Sequence, residues 1–266
     1  MPPAQHYRGT NVDHLERTKR EFGCQATGFA ASAAITDSEL TKRFTDAIGA
    51  DAAMRALDVA CGPGIVTAAL AAIARDVAAF DLTPEMLAKA RDRCAKAGLH
   101  NVTFHEGTAT ELPFPDNSFD LAVTRLSIHH FVEPHTVLGE MRRVLKPGGI
   151  LAVADIVSSE DAGKSALHNA IEVLRDPSHI RMLPASELVS LIRDAGLEIE
   201  KQDTWDAPRE FEEWAAIVAN RERVDPLRVI MNALAQAGED AGIGLSLSGA
   251  EIVFFHRWHI AVARKS

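Results

Sequence analysis

A carboxylate and two glycines fall in one short turn, Asp58 to Gly64 (DVACGPG). Gly62 and Gly64 lack a Cβ, so the backbone can turn tightly there and come close to a ligand. Nicotinamide dinucleotides bind turns of the pattern G-x-G-x-x-G, and this chain has Thr67 at the third glycine position. Asp58 would repel a pyrophosphate and attract an ammonium or sulfonium group. The turn therefore predicts a site for a cationic cofactor.

A second carboxylate, Asp81, ends the segment DVAAFD, which has the apolar pattern of a buried strand. Its oxygens could accept hydrogen bonds from both hydroxyls of a ribose. Alternatively, Asp81 only caps the helix that Pro84 begins. Leu82 and Met86 could pack against an adenine face or serve in ordinary helix packing. S-adenosylmethionine combines an ammonium, a sulfonium and a ribose, so the two acids together favour it over NAD as the cofactor.

Two adjacent histidines, His129 and His130, directly follow the fourth predicted strand, in the segment SIHHF. Histidine is the side chain whose ordinary pKa suits a base near neutral pH. We predict a catalytic role for the pair, with His129 ahead of His130. Alternatively, one of the two caps the next element or bonds a backbone carbonyl. A zinc site would need a third ligand at a suitable spacing, and we predict no metal.

Strands and helices alternate through the middle of the chain, which predicts a parallel, doubly wound sheet. Predicted strands cover residues 55–61, 76–81, 101–107, 119–126, 150–157, 197–205 and 251–264. Predicted helices include 14–22, 37–48 with Asp37 as N-cap, 133–145, 162–174, 186–195, 211–220 and 226–237. The predicted fold is Rossmann-like α/β: a mostly parallel seven-stranded sheet, helices on both faces and an antiparallel last strand. Ligands of such sheets bind at the carboxyl ends of the strands, where all these motifs lie.

The composition narrows the choice of partner and location. The 266 residues carry a formal net charge of −9, which argues against nucleic acid and anionic membranes as partners. Three separate cysteines, with no C-x-x-C spacing, fit a reduced compartment. No secretory signal or stretch long enough to span a membrane is visible, so we expect a cytoplasmic protein without membrane insertion. The last strand could pair between subunits, which leaves a homodimer open.

Four motifs in order resemble the class I S-adenosylmethionine-dependent methyltransferases, in the methyltransferase 11-like, ubiquinone/menaquinone-type subgroup. They are LDVACGPG, the strand-ending Asp81, GTATELPFPDNSFD and EMRRVLKPGG. The segment FGCQATGFAAS is similar to the lid that precedes the domain in many members. The block Arg-Asp-Pro-Ser-His at residues 175–179 resembles a bacterial branch. The resemblance implies a helical lid at 1–50, a cofactor core at 51–157, and a C-terminal part of the same domain with substrate-facing insertions at 158–266.

Carried onto this chain, the family's cofactor contacts fall on Asp58, Ala60, Cys61, Gly62, Pro63, Gly64, Asp81, Leu82, Met86, Thr108, Ala109, Arg125 and Leu126. The chain departs from the family at two of them. Ala60 stands where glycine is frequent, and Thr108 stands where aspartate is frequent. Thr108 could still accept a hydrogen bond from the adenine amino group, but without charge.

The resemblance implies methyl transfer to O, N or C of a small molecule, with release of S-adenosylhomocysteine. For the acceptor pocket we predict Phe22, Phe29, Asp155, Asp176, His179 and Arg181. Their acids, base and guanidinium would suit a polar or anionic acceptor. Two alternatives stay open: an enzyme that uses the bound cofactor without methyl transfer, and a cofactor-binding module without catalysis. A dehydrogenase is disfavoured by Thr67 and Asp58.

Overall fold

The computed structural model describes residues 11–32, 36–218 and 220–266. Its α-helices are α1 (Asn11–Ala31), α2 (Ser38–Ile48), α3 (Ile65–Ala71), α4 (Pro84–Lys96), α5 (Pro134–Val144), α6 (Ala162–Arg175), α7 (Ala185–Asp194), α8 (Phe211–Ala216) and α9 (Arg221–Gln236). Its strands are β1 (Arg55–Val59), β2 (Asp76–Asp81), β3 (Val102–Glu106), β4 (Phe119–Arg125), β5 (Leu145–Ile156), β6 (Leu197–Glu210), β7 (Ser246–Ser248) and β8 (Glu251–Lys265). A short 3₁₀ turn, Ile128–His130, follows β4.

All the strands join one sheet of order β3-β2-β1-β4-β5-β8-β6, with β7 paired to β8 at the side. Strands β1 to β5 run parallel, and β8 lies antiparallel between β5 and β6. The predicted fold class and its antiparallel last strand are confirmed. The predicted strand number was one too low, because β7 has only three residues, too few to show an alternating pattern.

Helices cover both faces of the sheet and bury two separate cores. On one face Leu138 and Met141 of α5 pack with Ile192 of α7. On the other face Phe44 of α2 packs with Leu70 of α3. Apolar side chains on both faces explain why the strands read as continuous apolar segments. A smaller third core, built around Trp214, joins α6, α8 and α9.

Several element ends differ from prediction for local reasons. The side chain of Asp37 caps α2 as predicted, accepting from the backbone N–H of Glu39 at 2.7 Å. Helix α1 continues to Ala31, beyond its predicted end. Helix α9 begins five residues before the predicted start at Pro226, because the Asn220 side chain caps it by accepting from the Arg223 N–H at 3.3 Å. Pro226 is the sixth residue of α9, where its missing N–H removes one intrahelical hydrogen bond.

Helix α1 lies across the carboxyl ends of the parallel strands, where side chains tie it to three other elements. Glu21 accepts from Arg223 of α9 at 2.7 Å. Lys19 lies 3.9 Å from Glu106 at the end of β3. His14 Nε2 donates to the carbonyl of His130 at 2.9 Å. Helix α1 therefore covers the sheet edge where a ligand is expected. Among the described helices, none has the length and apolar character needed to cross a bilayer.

Candidate cofactor and acceptor site

A cavity of about 1170 Å³, including its open mouth, lies at the carboxyl ends of β1, β2 and β4. One half is formed by the turn after β1, the end of β2 and residues 107–110. The other half is formed by α1 and the segment after β4. Its wall includes the side chains His14, Thr18, Phe22, Phe29, Asp58, Asp81, Met86, Arg125, His130 and Phe131. Pockets with apolar walls and a few converging polar groups are typical of small-molecule sites.

Asp58 provides a buried carboxylate at the floor of the cavity. Its Oδ2 accepts a hydrogen bond from Thr67 Oγ1 at 2.6 Å, so the residue that replaces the third glycine orients the acid. Burial raises the pKa of Asp58 to about 7, against the opposing effects of the Thr67 bond and the Arg125 charge. Burial also disfavours the charged form of Arg125 and so lowers its pKa to about 10. A cationic ligand group beside Asp58 would restore its ionised form.

Asp81 bonds backbone N–H groups before α4, whose N-cap residue is Thr83, and leaves room for a ligand role as well. Its Oδ1 accepts from the Thr83 N–H at 2.8 Å, and its Oδ2 accepts from the Gly62 N–H at 2.8 Å. The two bonds join the β2 end to the turn after β1. A carboxylate has about four acceptor positions, so both oxygens can still accept from ribose hydroxyls. Burial raises the pKa of Asp81 to about 6, despite these two bonds.

All the other predicted cofactor residues line the cavity except Gly64. Gly64 has φ +77°, and a Cβ there would lie 2.7 Å from the Cβ of Ala90 in α4, so it allows α3 to pack on α4. Ala60 has φ +55°, in the left-handed region that favours glycine. This explains why glycine suits that position. Thr108 Oγ1 bonds Thr110 Oγ1 at 2.9 Å at the cavity edge.

The two histidines after β4 have different surroundings. His130 lines the cavity, and its ring packs edge-on against Phe22 of α1 with centroids 4.8 Å apart. His129 lies off the cavity wall: its Nδ1 bonds Asp155 Oδ1 at 2.6 Å. The structure therefore brings His130, the second of the predicted pair, to the ligand space. His129 was ranked first, and sequence alone could not order two neighbours in a turn.

Asp155 bonds the turn that carries the two histidines and does not line the cavity. Its Oδ2 accepts from the Ile128 N–H at 2.8 Å, and its Oδ1 accepts from His129. Burial by itself lowers the pKa of His129, but the charge of Asp155 and the bond to it outweigh burial and raise this pKa. Asp155 is buried and does not line the cavity, because its carboxylate faces the Ile128 N–H and the His129 ring, so it is not brought to the predicted pocket.

The Arg-Asp-Pro-Ser-His block also packs beside the histidine turn, away from the cavity wall. Asp176 accepts from the Ser178 N–H at 2.9 Å, and both residues are buried. His179 Nε2 bonds Asn169 Oδ1 at 2.9 Å. Arg181 is on the surface, where its Nη1 donates to Glu187 at 3.0 Å. The predicted contacts of Asp176, His179 and Arg181 with an acceptor are therefore not seen, because each side chain is engaged elsewhere.

Helix α1 supplies cavity residues that sequence reasoning missed. His14 and Thr18 line the cavity together with Phe22, which had been predicted. These three follow one another at intervals of four, so they share one helix face. That spacing was a usable signal within a predicted helix. Burial lowers the pKa of His14, although its bond to the His130 carbonyl opposes the shift.

A separate buried cluster, His168, Glu172 and His256, has a ligand set suited to a metal. The three ligand atoms lie within 4.8 Å of one another. Arg209 Nη1 lies 3.2 Å from His256 Nδ1, which must accept, and Arg175 Nε donates to Glu172 Oε2 at 3.2 Å. Glu172 is already paired with Arg175, and Arg209 is paired with Glu213 at 2.7 Å, so the charges around the cluster balance without a divalent cation. The cluster is therefore an internal ion network, and the absence of a resident metal stays a prediction.

This chain resembles known proteins in sequence and in fold. Residues 57–153 match the family model described as a methyltransferase domain. YafE of Escherichia coli K12, an uncharacterised protein, is 36% identical over 154 residues, 58% of this chain and 74% of YafE. YcgJ of Bacillus subtilis 168, an uncharacterised methyltransferase, is 33% identical over 160 residues, 60% of this chain and 63% of YcgJ. Its crystal structure has a TM-score of 0.79 at 26% identity, covering 85% of this chain and 98% of that chain.

A demethylmenaquinone methyltransferase of Listeria monocytogenes serotype 4a is 39% identical over 117 residues, which is 43% of this chain and 49% of that protein. This match spans about half of each chain and does not define an acceptor. The family model, the relatives and the fold agree on the cofactor-binding half. From the domain match and the likeness to YafE and YcgJ, the chain belongs to the class I S-adenosylmethionine-dependent methyltransferases.

Proposed function

We propose that this enzyme transfers the methyl group of S-adenosylmethionine to a small, largely apolar, ring-containing acceptor held between α1 and the segment after β4. The observation that carries this proposal is the position of His130. It lines the cavity beside the aromatic side chains Phe22 and Phe29, whose ring centroids lie 5.5 Å apart. A polar or anionic acceptor was expected from Asp176, His179 and Arg181, and those residues do not reach the cavity.

The cofactor half would orient the methyl donor. Asp58 would pair with the ammonium of the methionine moiety, and Asp81 would accept from the ribose hydroxyls. Met86 and Ala109 would contact the adenine, and both line the same half of the cavity. Methyl transfer is a direct displacement, so the protein contributes chiefly by aligning nucleophile, methyl and sulfur and by excluding water. This role requires no metal ligand.

His130 is suited to accept a hydrogen bond from the acceptor. Its Nδ1 lies 3.0 Å from the carbonyl oxygen of Ser178, which only accepts, so Nδ1 carries the hydrogen. The other ring nitrogen, Nε2, then has a free lone pair, and within the described chain it has no hydrogen-bond partner. Burial and the nearby His129 lower the pKa of His130 to about 4. The ring is therefore neutral at physiological pH and can orient an O–H or N–H nucleophile toward the methyl group.

The methyltransferase subgroup, the cellular location and the oligomeric state are also proposals. An apolar acceptor wall fits the ubiquinone/menaquinone-type resemblance more closely than it fits a sugar or a nucleotide. The net charge of −9 argues against a nucleic acid acceptor. A cytoplasmic location and a homodimer stay predictions.

A labelled-methyl assay tests this function. The purified protein, S-adenosylmethionine labelled in its methyl group, and a panel of small phenols, aromatic amines and aliphatic controls would be incubated together. We expect S-adenosylhomocysteine release only with ring-containing acceptors, in equal amount to the methylated product. His130→Gln should lower turnover about 10- to 100-fold and leave cofactor affinity within about twofold. His135→Gln, on the exposed surface of α5, is the matched control.

Two outcomes would contradict the proposal. Conversion of an acceptor without S-adenosylhomocysteine release would favour an enzyme that uses the cofactor without methyl transfer. Unchanged turnover in His130→Gln would remove His130 from the reaction and leave the acceptor half of the cavity unassigned.

A further inference from the structure

We propose that Asp176 and Ser178 are positioning residues that hold the His130 ring in the tautomer with its lone pair on Nε2. This inference rests on the proposed role of His130. It also gives the Arg-Asp-Pro-Ser-His block a function other than acceptor binding. The block is far from His130 in sequence and in direct contact with it in the fold.

Ser178 contacts His130 through its backbone as well as its side chain. The Ser178 carbonyl oxygen lies 3.0 Å from His130 Nδ1, and its Oγ lies 3.3 Å from the same nitrogen. A carbonyl accepts and never donates, so this contact selects the hydrogen on Nδ1. Ser178 is fully buried, so water does not compete for its carbonyl. The tautomer of His130 therefore depends on where the Ser178 peptide lies.

Asp176 fixes the position of that peptide. Its Oδ1 accepts from both the N–H and the Oγ of Ser178, at 2.9 Å and 2.6 Å. The Oγ hydrogen is thus directed to Asp176, which leaves the Ser178 carbonyl as the acceptor for His130. The backbone N–H of Asp176 donates to the Glu172 carbonyl at 2.8 Å, so Asp176 is itself anchored on the last turn of α6.

Residues 176–181 also bond the turn that carries both histidines. The N–H groups of Ile180 and Arg181 donate to the His129 carbonyl at 2.8 Å and 3.1 Å. On the opposite side, Asp155 accepts from the Ile128 N–H at 2.8 Å. The turn is therefore clamped between the end of β5 and residues 176–181, and His130 has little freedom to rotate away.

The charge of Asp176 matters in addition to its bonds. Asp176 is 2% exposed, and within the described chain it lies near the charges of Arg175 and Arg223 without a close ion pair to either. An asparagine could accept the same two bonds without the expense of burying a carboxylate. Burial by itself raises the pKa of Asp176, but the charge of His130 in its protonated form, the charge of Arg175 and the bonds from Ser178 together outweigh burial and lower it. An ionised Asp176 would stabilise the imidazolium form of His130.

The negative charge of Asp176 would stabilise His130 at the step in which the acceptor loses its proton. When the acceptor attacks, the bond from sulfur to methyl breaks and the bond from acceptor to methyl forms. The acceptor proton passes to His130 Nε2, and the sulfonium becomes the neutral thioether of S-adenosylhomocysteine. The positive charge thus moves from sulfur to His130, which lies near the Asp176 carboxylate. The groups facing His130 that could alter its titration are His14 of α1, His129 and Asp155 beside the turn, and Asp176 and His179 of the block.

Asp176→Asn separates charge from structure, because its amide oxygen can keep both bonds to Ser178. Ring-nitrogen NMR of the whole protein reports the tautomer and titration of His130 without any acceptor. We expect the wild type to show hydrogen on Nδ1. Asp176→Asn should keep this tautomer but lower the proton affinity of His130 about tenfold. Asp176→Ala should mix the two tautomers, because the Ser178 peptide loses both bonds. Asp194→Asn, an exposed carboxylate on α7, is the control.

Turnover with an acceptor identified in the labelled-methyl assay completes the test. We expect Asp176→Asn to lower kcat about tenfold, with the S-adenosylhomocysteine Kd unchanged. An unchanged tautomer in Asp176→Ala, or an unchanged titration in Asp176→Asn, would overturn the positioning role even if His130→Gln abolishes turnover. Conversely, if both NMR signatures appear but His130→Gln is fully active, the clamp exists and the proposed role of His130 is wrong.

Discussion

Acidification is expected to weaken cofactor binding steeply, because both carboxylates proposed to hold S-adenosylmethionine have pKa values near neutrality. Burial raises the pKa of Asp58 to about 7 and that of Asp81 to about 6 in the empty site. The ligand would bind the ionised forms, since its ammonium pairs with Asp58 and its ribose hydroxyls donate to Asp81. Binding therefore releases protons, and affinity falls as pH falls below 7.

The magnitude follows from the two values. At pH 5 about 1% of Asp58 and about a tenth of Asp81 is ionised, so the Kd should be about 1000-fold weaker than at pH 7.5. At pH 6 about 0.9 of a proton leaves Asp58 and about 0.5 leaves Asp81, giving about 1.4 protons released per ligand. Above pH 8 the α-amino group of the ligand loses its own proton. The tightest binding is therefore expected between pH 7 and 8.

Calorimetric titration with S-adenosylhomocysteine measures both quantities, because it keeps the ammonium and ribose and is not turned over. Repeating the titration in two buffers of different ionisation enthalpy gives the number of protons released. Asp58→Asn should bind about 10- to 100-fold more weakly at pH 7.5, and its proton release at pH 6 should fall to about 0.5. A Kd that stays flat from pH 7.5 to 5, with less than about 0.3 of a proton released, would refute this reasoning.

Two further substitutions test the cofactor half. Asp81→Ala removes the proposed ribose acceptor and leaves the Gly62 N–H without its partner, so the S-adenosylhomocysteine Kd should rise at least about 100-fold; undiminished affinity in calorimetry would place the ribose elsewhere. Gly64→Ala puts a Cβ 2.7 Å from that of Ala90 at φ +77°, so we expect a loss of about 1–3 kcal/mol in unfolding free energy and a lower Tm. Gly139→Ala, where a Cβ meets nothing within 4 Å, is the control, and an equal Tm change in both variants would contradict the packing argument.

The positions of the proposed cofactor residues around one turn could be predicted from sequence because the determinants of that geometry are local. Asp58 and Gly64 fall in a single strand–turn–helix unit, and Asp81 ends the neighbouring parallel strand. Parallel pairing of β1 with β2 then brings Asp81 to Gly62 without further information. The type of each residue and its place at a strand end were enough to predict this arrangement.

The acceptor half depends on contacts between distant segments, which leave no periodic signal. His14 reaches the His130 carbonyl across 116 residues, and Ser178 reaches His130 across 48. Asp155 stands at a strand end, just as Asp81 does. Asp81 lines the cavity, whereas Asp155 lies off it beside the Ile128 N–H, and no pattern in the sequence distinguishes the two acids.

The place of β8 in the sheet has a consequence for synthesis of the chain. Strand β5 pairs with β4 on one side and with β8 on the other, and among the described strands only β8 pairs with β6. The edge of β5 thus lacks its partner until residues 251–265 have left the ribosome. An apolar strand whose edge N–H and C=O groups are unpaired can pair with another chain, which promotes aggregation. Nascent chains that stall before β8 should therefore need protection by a chaperone, although the whole cofactor-binding sequence has already been made.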